Sequence, residues 1–415
     1  MNQSAHDLRK DALAIFQAGI KAADPYSAVK QCLHNNGKQL EIALDLTANS
    51  AQRSEDWQKI HIIAFGKAAC AMAKATQEKV PSQRLSHPVI AVTNYENVSD
   101  LANIDVIGAN HPLPDSAGFA GAQRIAHVAQ QAQQGELVLA LVSGGGSALI
   151  PFPAEGISLD EKIATTNLLL ASGATINEIN GVRKHLSQLK GGGLAKMAAP
   201  ADLHALILSD VLGDELSTIA SGPTVADNTT FKEAIQVFKN RQLWHKVPAN
   251  VQAHLEKGAQ GTISETPKAN DAILKNTGYT LCGSNAISVQ AITQAAQNLD
   301  YNLHLYSDQL TGEAKDAAED LVRYAQKLLT KDLDKPCAIL AGGETTVTLT
   351  GSGLGGRNQE MALAFAMAAE KHPLNASWAF LSGGTDGRDG PTDAAGGLVD
   401  IHTITRMRQA AIEPN

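Results

Sequence analysis

Short apolar runs and longer amphipathic stretches alternate along this 415-residue chain. Residues 60–65 (IHIIAF), 88–93 (PVIAVT), 104–108 (IDVIG), 137–142 (LVLALV) and 205–209 (ALILS) are brief and largely apolar, as strands covered on both faces are. Segments of helical spacing lie between them. The first, 7–23, places Leu8, Ala12, Ile15, Phe16 and Ile20 at helical intervals and ends at Asp24-Pro25. A small-residue helix is predicted after Gly66, and an Ala/Gln-rich one over 115–134. The second half repeats the pattern, with strands at 279–284, 302–307, 337–343 and 378–384 and helices at 286–299, 312–329 and 357–370. Residues 345–350 (TTVTLT) alternate and predict an edge or antiparallel strand. Such alternation predicts an α/β protein with mainly parallel sheets. The polar stretch 258–272, which contains glycine and proline, reads as a linker. It divides the chain into domains 1–272, with a Rossmann-like sheet, and 273–415.

In such sheets ligands sit beyond the carboxyl ends of the strands. Gly66-Lys67, Ser143–Ser147 and Asp210–Asp214 all follow predicted strand ends. In Ser143, Gly144, Gly145, Gly146 and Ser147, three missing side chains let backbone N–H groups converge on an anion, and a following helix N-terminus would add positive charge. The alternative is a plain turn, which needs fewer glycines. Lys67 can reach a transferring phosphoryl group as a mobile charge, or be a solvated first-turn lysine. Residues 180–196 are basic. Arg183 and Lys190, seven apart, are expected on one helical face, either solvated or gripping an anion. Asp210, Glu344 and Asp386 sit in glycine-rich strand ends and are candidate magnesium ligands or catalytic bases; turn chemistry is the competing explanation. Gly351-x-Gly353-x-x-Gly356 matches a dinucleotide fingerprint, but the acid required ~20 residues later is missing. Arg357 at its mouth suits a carboxylate or phosphate better.

Composition narrows the partners. A net charge of −8 and 4% aromatic residues argue against nucleic-acid binding, yet local charge still admits a small anion. Cys32, Cys70, Cys282 and Cys337 are scattered, so neither a disulfide framework nor a structural zinc site is expected, and a reducing compartment fits. No run approaches ~18–20 apolar residues and the N-terminus lacks a signal-peptide core, so a soluble cytoplasmic protein without a membrane partner is expected. A homodimer is the base-rate expectation.

Taken in order, ADPYSAV (23–29), FGKAA (65–69), HPLPDSAG (111–118), LVSGGGSALIPFP (141–153), INEINGVRKHLSQLKGGGLAK (176–196), LSDVLGDELSTIASGPTVAD (208–227), GGETTVTL (342–349), GGRNQE (355–360) and SGGTDGRDGPTDAAGG (382–397) resemble the class II glycerate 2-kinases. The C-terminal half of that family is the MOFRL domain. The resemblance implies two α/β domains with a cleft between them, closing over ATP, magnesium and D-glycerate to phosphorylate the 2-hydroxyl. It places the family's active-site lysine on Lys67 and its arginine on Arg357. Some members carry the name hydroxypyruvate reductase, which makes an NAD(P)H-dependent reductase the rival; a non-catalytic ATP or glycerate sensor is a third alternative. Family members usually continue through an N-D-S-Y/F stretch and a T-G-P-T-G-T-N segment. This chain ends at IEPN (412–415), and a shortened form is expected to be less stable than a longer counterpart.

Overall fold

Burial on both faces explains the apolar strands. The computed structural model describes residues 4–46, 51–331, 335–351 and 353–412. It separates into two units: residues 25–282, and residues 1–24 together with 283–415. The first unit is built on β1 (Ile60–Phe65), β2 (Val89–Asn94), β3 (Ile104–Ala109), β4 (Leu137–Val142), β5 (Asp202–Leu208) and β6 (Thr277–Gly283), in the order β3-β2-β1-β4-β5-β6. The pairings from β3 through β5 are parallel. Along β4, Val138, Ala140 and Val142 join one core while Leu137, Leu139 and Leu141 join the other, so no position is left for a polar residue.

The strand order reverses between β1 and β4, the place where open α/β sheets bind ligands. The register aligns the exits. Phe65 lies opposite both Val92 and Val142, and Val142 opposite Ile207, so the chain leaves β1, β4 and β5 at nearly one level. A helical layer in the same unit comprises Leu159–Ala171, Ile176–His185, Phe231–Asn240 and Ala249–Ala259, packed around Leu169, Phe231, Phe238 and Leu255. Capping boxes at Ser158/Glu161, Thr175/Glu178 and Thr230/Glu233 fix three of its helix starts.

The second unit contains β7 (Asn302–Leu310) and β8 (Cys337–Gly343), which are parallel, and β9 (Ala379–Gly383) and β10 (Gly396–Asp400), which are antiparallel. Helices Asn285–Asn298, Ala314–Leu329 and Arg357–Lys371 cover them, and Phe365 stacks on Phe380 with ring centres 4.1 Å apart. Both units are α/β, as predicted, but this one holds two-stranded ladders rather than a wide parallel sheet.

The unit boundaries differ from the predicted domains in three respects. The N-terminal helix Ala5–Ala23 belongs with the C-terminal residues: Arg9 pairs with Asp400, the Tyr301 hydroxyl donates to Asp11, and Gly19 lies so near Ile292 that a Cβ would stand 2.7 Å away. β6 completes the first sheet instead of opening the second domain. Residues 258–272 are not a linker but are tied into the first unit. Glu265 accepts from the Phe231 N–H and contacts His185, and Pro267 accepts from the Asp227 N–H. Polarity marked the segment as loop, but only tertiary hydrogen bonds show where it belongs. Residues 345–350 form one bridge, Glu313 to Thr346, and no strand; the Glu313 carboxylate accepts from the Thr348 amide and the hydroxyls of Thr346 and Thr348.

Candidate functional site

The aligned strand exits place the Gly66-Lys67 turn against the Ser143–Ser147 loop. Gly66 has φ +120°, and a Cβ there would lie 2.2 Å from Ser143 Oγ and 2.4 Å from its carbonyl oxygen, so the turn requires glycine. The Ser143 hydroxyl accepts from the Ala68 N–H, and the Lys67 N–H donates to Gly144 O at 2.8 Å. Thr93 Oγ1 and Asn97 Nδ2 both donate to Lys67 O. The Lys67 backbone is thus held from both sides while its side chain remains exposed.

Gly144 is free of φ strain, but a Cβ on it would stand 2.0 Å from Asp210 Oδ2. One on Gly145 would stand 3.1 Å from His111 Cδ2 and Nε2 and 3.3 Å from Lys67 Cγ. The missing side chains therefore let Lys67, His111 and Asp210 converge on the loop. Burial and then Lys67 push the His111 imidazole below its ordinary value, against the opposite pull of Asp210 and Glu96. His111 was not among the predicted site residues. It stands in the HPLPDSAG segment just past β3, two strands from β1, and only the sheet order shows that the two meet.

Two expectations about this loop need correction. The helix after it, Gly146–Leu149, has four residues, so its dipole adds little and the cradle rests on backbone geometry. Lys190 does not share a helical face with Arg183, because that helix ends at His185 and Leu186 caps it. Lys190 is instead buried, and its Nζ donates to Ser147 O at 2.8 Å. Burial holds its ammonium well below the ordinary lysine range, with Lys162 and Arg183 adding to the effect. The Ser147 hydroxyl meets Ser221 Oγ at 2.8 Å, and Ser221 donates to Asn180 Oδ1. Ser143, Ser147 and Lys190 accordingly brace the loop through their side chains.

The remaining candidates lie in the other unit. Arg357 opens the helix Arg357–Lys371, half-exposed, and its Nη1 lies 2.5 Å from Glu344 Oε1. Asp386 is exposed and accepts from the Arg388 N–H in a turn. Its neighbour Asp389 is 2% exposed and does the work at the helix start. It accepts from the N–H and side-chain amide of both Asn358 and Gln359, at 2.8–3.1 Å. Burial raises the Asp389 carboxyl, but these hydrogen bonds outweigh it and hold it below its ordinary value. Among the described residues no three His, Cys, Asp or Glu side chains are grouped to hold a metal ion, and no helix is long and apolar enough to cross a membrane. The Gly351–Gly356 fingerprint lacks the strand it would need, since 345–350 is irregular with a single bridge at Thr346.

A parallel α/β sheet with a side-chain-free loop and a lysine at its switch point is the arrangement in which α/β proteins commonly hold an anionic ligand. Comparison with known proteins narrows the class. Residues 11–256 match the family described as "Domain of unknown function (DUF4147)", and residues 337–415 match the MOFRL family. A glycerate 2-kinase of Pyrococcus horikoshii is 41% identical over 99% of this chain and 89% of its own length. A relative in Agrobacterium vitis, 38% identical over 96% of this chain and 84% of its own, carries the name hydroxypyruvate reductase. The crystal structure of a Thermotoga maritima glycerate kinase superposes with a TM-score of 0.84 at 34% identity, covering 99% of this chain and 91% of that one. The chain belongs to the class II glycerate 2-kinase family.

Proposed function

We propose that this protein transfers the γ-phosphoryl group of ATP to the 2-hydroxyl of D-glycerate, giving 2-phospho-D-glycerate and ADP. The convergence of Lys67 and Asp210 on a glycine loop at the sheet's switch point carries this reading, because phosphoryl transfer asks chiefly for positioning and charge neutralisation. The Gly144–Gly146 backbone takes the nucleotide phosphates, and Lys67 stabilises charge on the phosphoryl group in transit. Arg357 binds the glycerate carboxylate as a planar fork. Lys190, Ser143 and Ser147 position the loop without touching substrate.

Magnesium in kinases commonly rests on one or two carboxylates plus the substrate phosphates, so it does not require a grouped protein donor set, and none is found among the described residues. Asp210, beside Gly144, is the carboxylate placed to share such an ion, which when bound would neutralise phosphate charge. The reductase name in the family finds no support at residues 345–356, where the fingerprint has no strand before it.

The test couples purified protein, ATP, magnesium and D-glycerate to enolase, which accepts 2-phosphoglycerate and not 3-phosphoglycerate. Enolase-dependent product formation is expected. A folded protein that gives none, yet oxidises NADH with hydroxypyruvate, would replace the kinase reading with the reductase one.

A further inference from the structure

Arg183 is a largely enclosed cation that finds no acceptor among the described residues. Other enclosed basic groups of the same unit are matched: Lys184 with Asp227, Arg241 with Glu178, Arg53 with Asp202, and Lys162 and Lys190 with the carbonyls of Leu186 and Ser147. Arg183 makes no hydrogen bond or ion pair among the described residues, and burial alone lowers its affinity for a proton. Its neighbours add to the imbalance. Lys162 and Lys190 both sense its charge, and no carboxylate contributes at either lysine. A guanidinium remains protonated in proteins, and this one is half-buried with its nitrogens still reached by solvent, so it is open to an anion from outside the fold.

The location says which kind. Arg183 follows Asn180 by three residues on the helix Ile176–His185 and so shares its side of the helix. Asn180 is linked through Ser221 to Ser147 at the end of the glycine loop. Lys190, which senses Arg183, holds the carbonyl of that same serine. These links place Arg183 on the side of the helix that is tied to the loop, where a small oxyanion would complete its charge.

We infer that Arg183 forms an oxyanion subsite beside the glycine loop, filled by a phosphate or carboxylate group of a substrate. This deepens the kinase reading, on which the assignment to substrate groups rests; inorganic phosphate tests the subsite without turnover. Calorimetric titration of the full chain with inorganic phosphate, ATP and D-glycerate would be compared for the wild type, Arg183→Met and Arg183→Lys. Arg183→Met is expected to weaken phosphate binding at least tenfold, with Arg183→Lys recovering part of the loss.

Loss confined to ATP and phosphate marks a phosphate subsite, and loss confined to D-glycerate marks a carboxylate subsite; either supports the inference. Unchanged binding of all three to a folded Arg183→Met protein overturns it. If Arg183→Met does not fold, Arg183→Lys alone decides, since a fork-dependent subsite must weaken when the planar group is replaced and a structural cation need not. Absence of kinase turnover together with Arg183-dependent phosphate binding would remove the kinase reading and leave the subsite standing.

Discussion

The glycine loop of residues 143–147 and the Arg357 region solve recognition in opposite ways. The loop is built from what is missing. Added side chains at Gly66 or Gly144 would collide with Ser143 or Asp210, so backbone and sheet register determine its shape. The Arg357 region is built from side chains on exposed backbone. Its ion pair with Glu344 is half in solvent, and nearby Leu349 and Leu354 are 81% and 79% exposed. An exposed pair of this kind contributes at most ~1 kcal/mol, so it can be given up for a ligand. What fixes Arg357 is the cap on its helix, supplied by Asp389. The first region should therefore fail sharply when altered, and the second by degrees.

The sharpest break is Gly66→Ala. Its φ strain costs ~1–3 kcal/mol before the clash with Ser143 is counted, and the clash displaces Lys67 and the loop together. A fall in kcat/KM on the order of 10³-fold is expected from lost positioning. Steady-state kinetics on the folded variant would check it, and activity within about threefold of wild type would show that the loop is not determined by packing. Lys67→Ala comes next. It should lower kcat by ~10²-fold with little change in either KM, as loss of a transition-state contact does. Unchanged turnover would remove Lys67 from the mechanism.

Arg357→Ala should be milder, raising the D-glycerate KM by ~10–100-fold through the loss of a charge-assisted hydrogen-bonded pair, with kcat largely kept. A proportional fall in kcat instead would move Arg357 from binding to chemistry and erase the contrast between the regions.

The same contrast governs what could be read from the sequence. The exits of β1 and β4 were legible because a six-residue, largely apolar run that stops at glycine or one residue before it has few other readings, and Gly66 and Ser143 came with them. Asp210 came from the same rule at β5. His111, Asn180 and Ser221 were not legible as site neighbours. Strand order and a helical layer bring them to the loop, and no local pattern encodes either. Lys190 was misread because spacing by seven was extended past a helix that stops at His185. In the other unit, β10 (GGLVD) was missed because its glycines read as turn, and TTVTLT was mistaken for a strand because alternation alone does not supply a pairing partner. The part Asp389 plays in the cap was not legible either: all three acids of SGGTDGRDGPTD look alike until burial separates them.

Asp389→Asn gives the smallest effect and the finest test of the comparison. It keeps the shape but replaces one accepting oxygen with an N–H₂ group that faces donors from Asn358 or Gln359. Loss of the cap should cost ~1–2 kcal/mol and lower the melting temperature by roughly 2–8 °C, with the D-glycerate KM rising a few-fold as Arg357 loosens. The pH dependence separates a cap from a packing role. Because the folded Asp389 carboxyl lies below its ordinary value, its contribution is fully present above pH ~4 and disappears as pH falls through the folded value. The gap in melting temperature between wild type and Asp389→Asn should therefore be constant from pH 5 to 8 and narrow below ~4. A gap that persists undiminished in acid would mean that Asp389 stabilises the helix through its shape rather than its charge, and that Arg357 is held by packing just as Lys67 is.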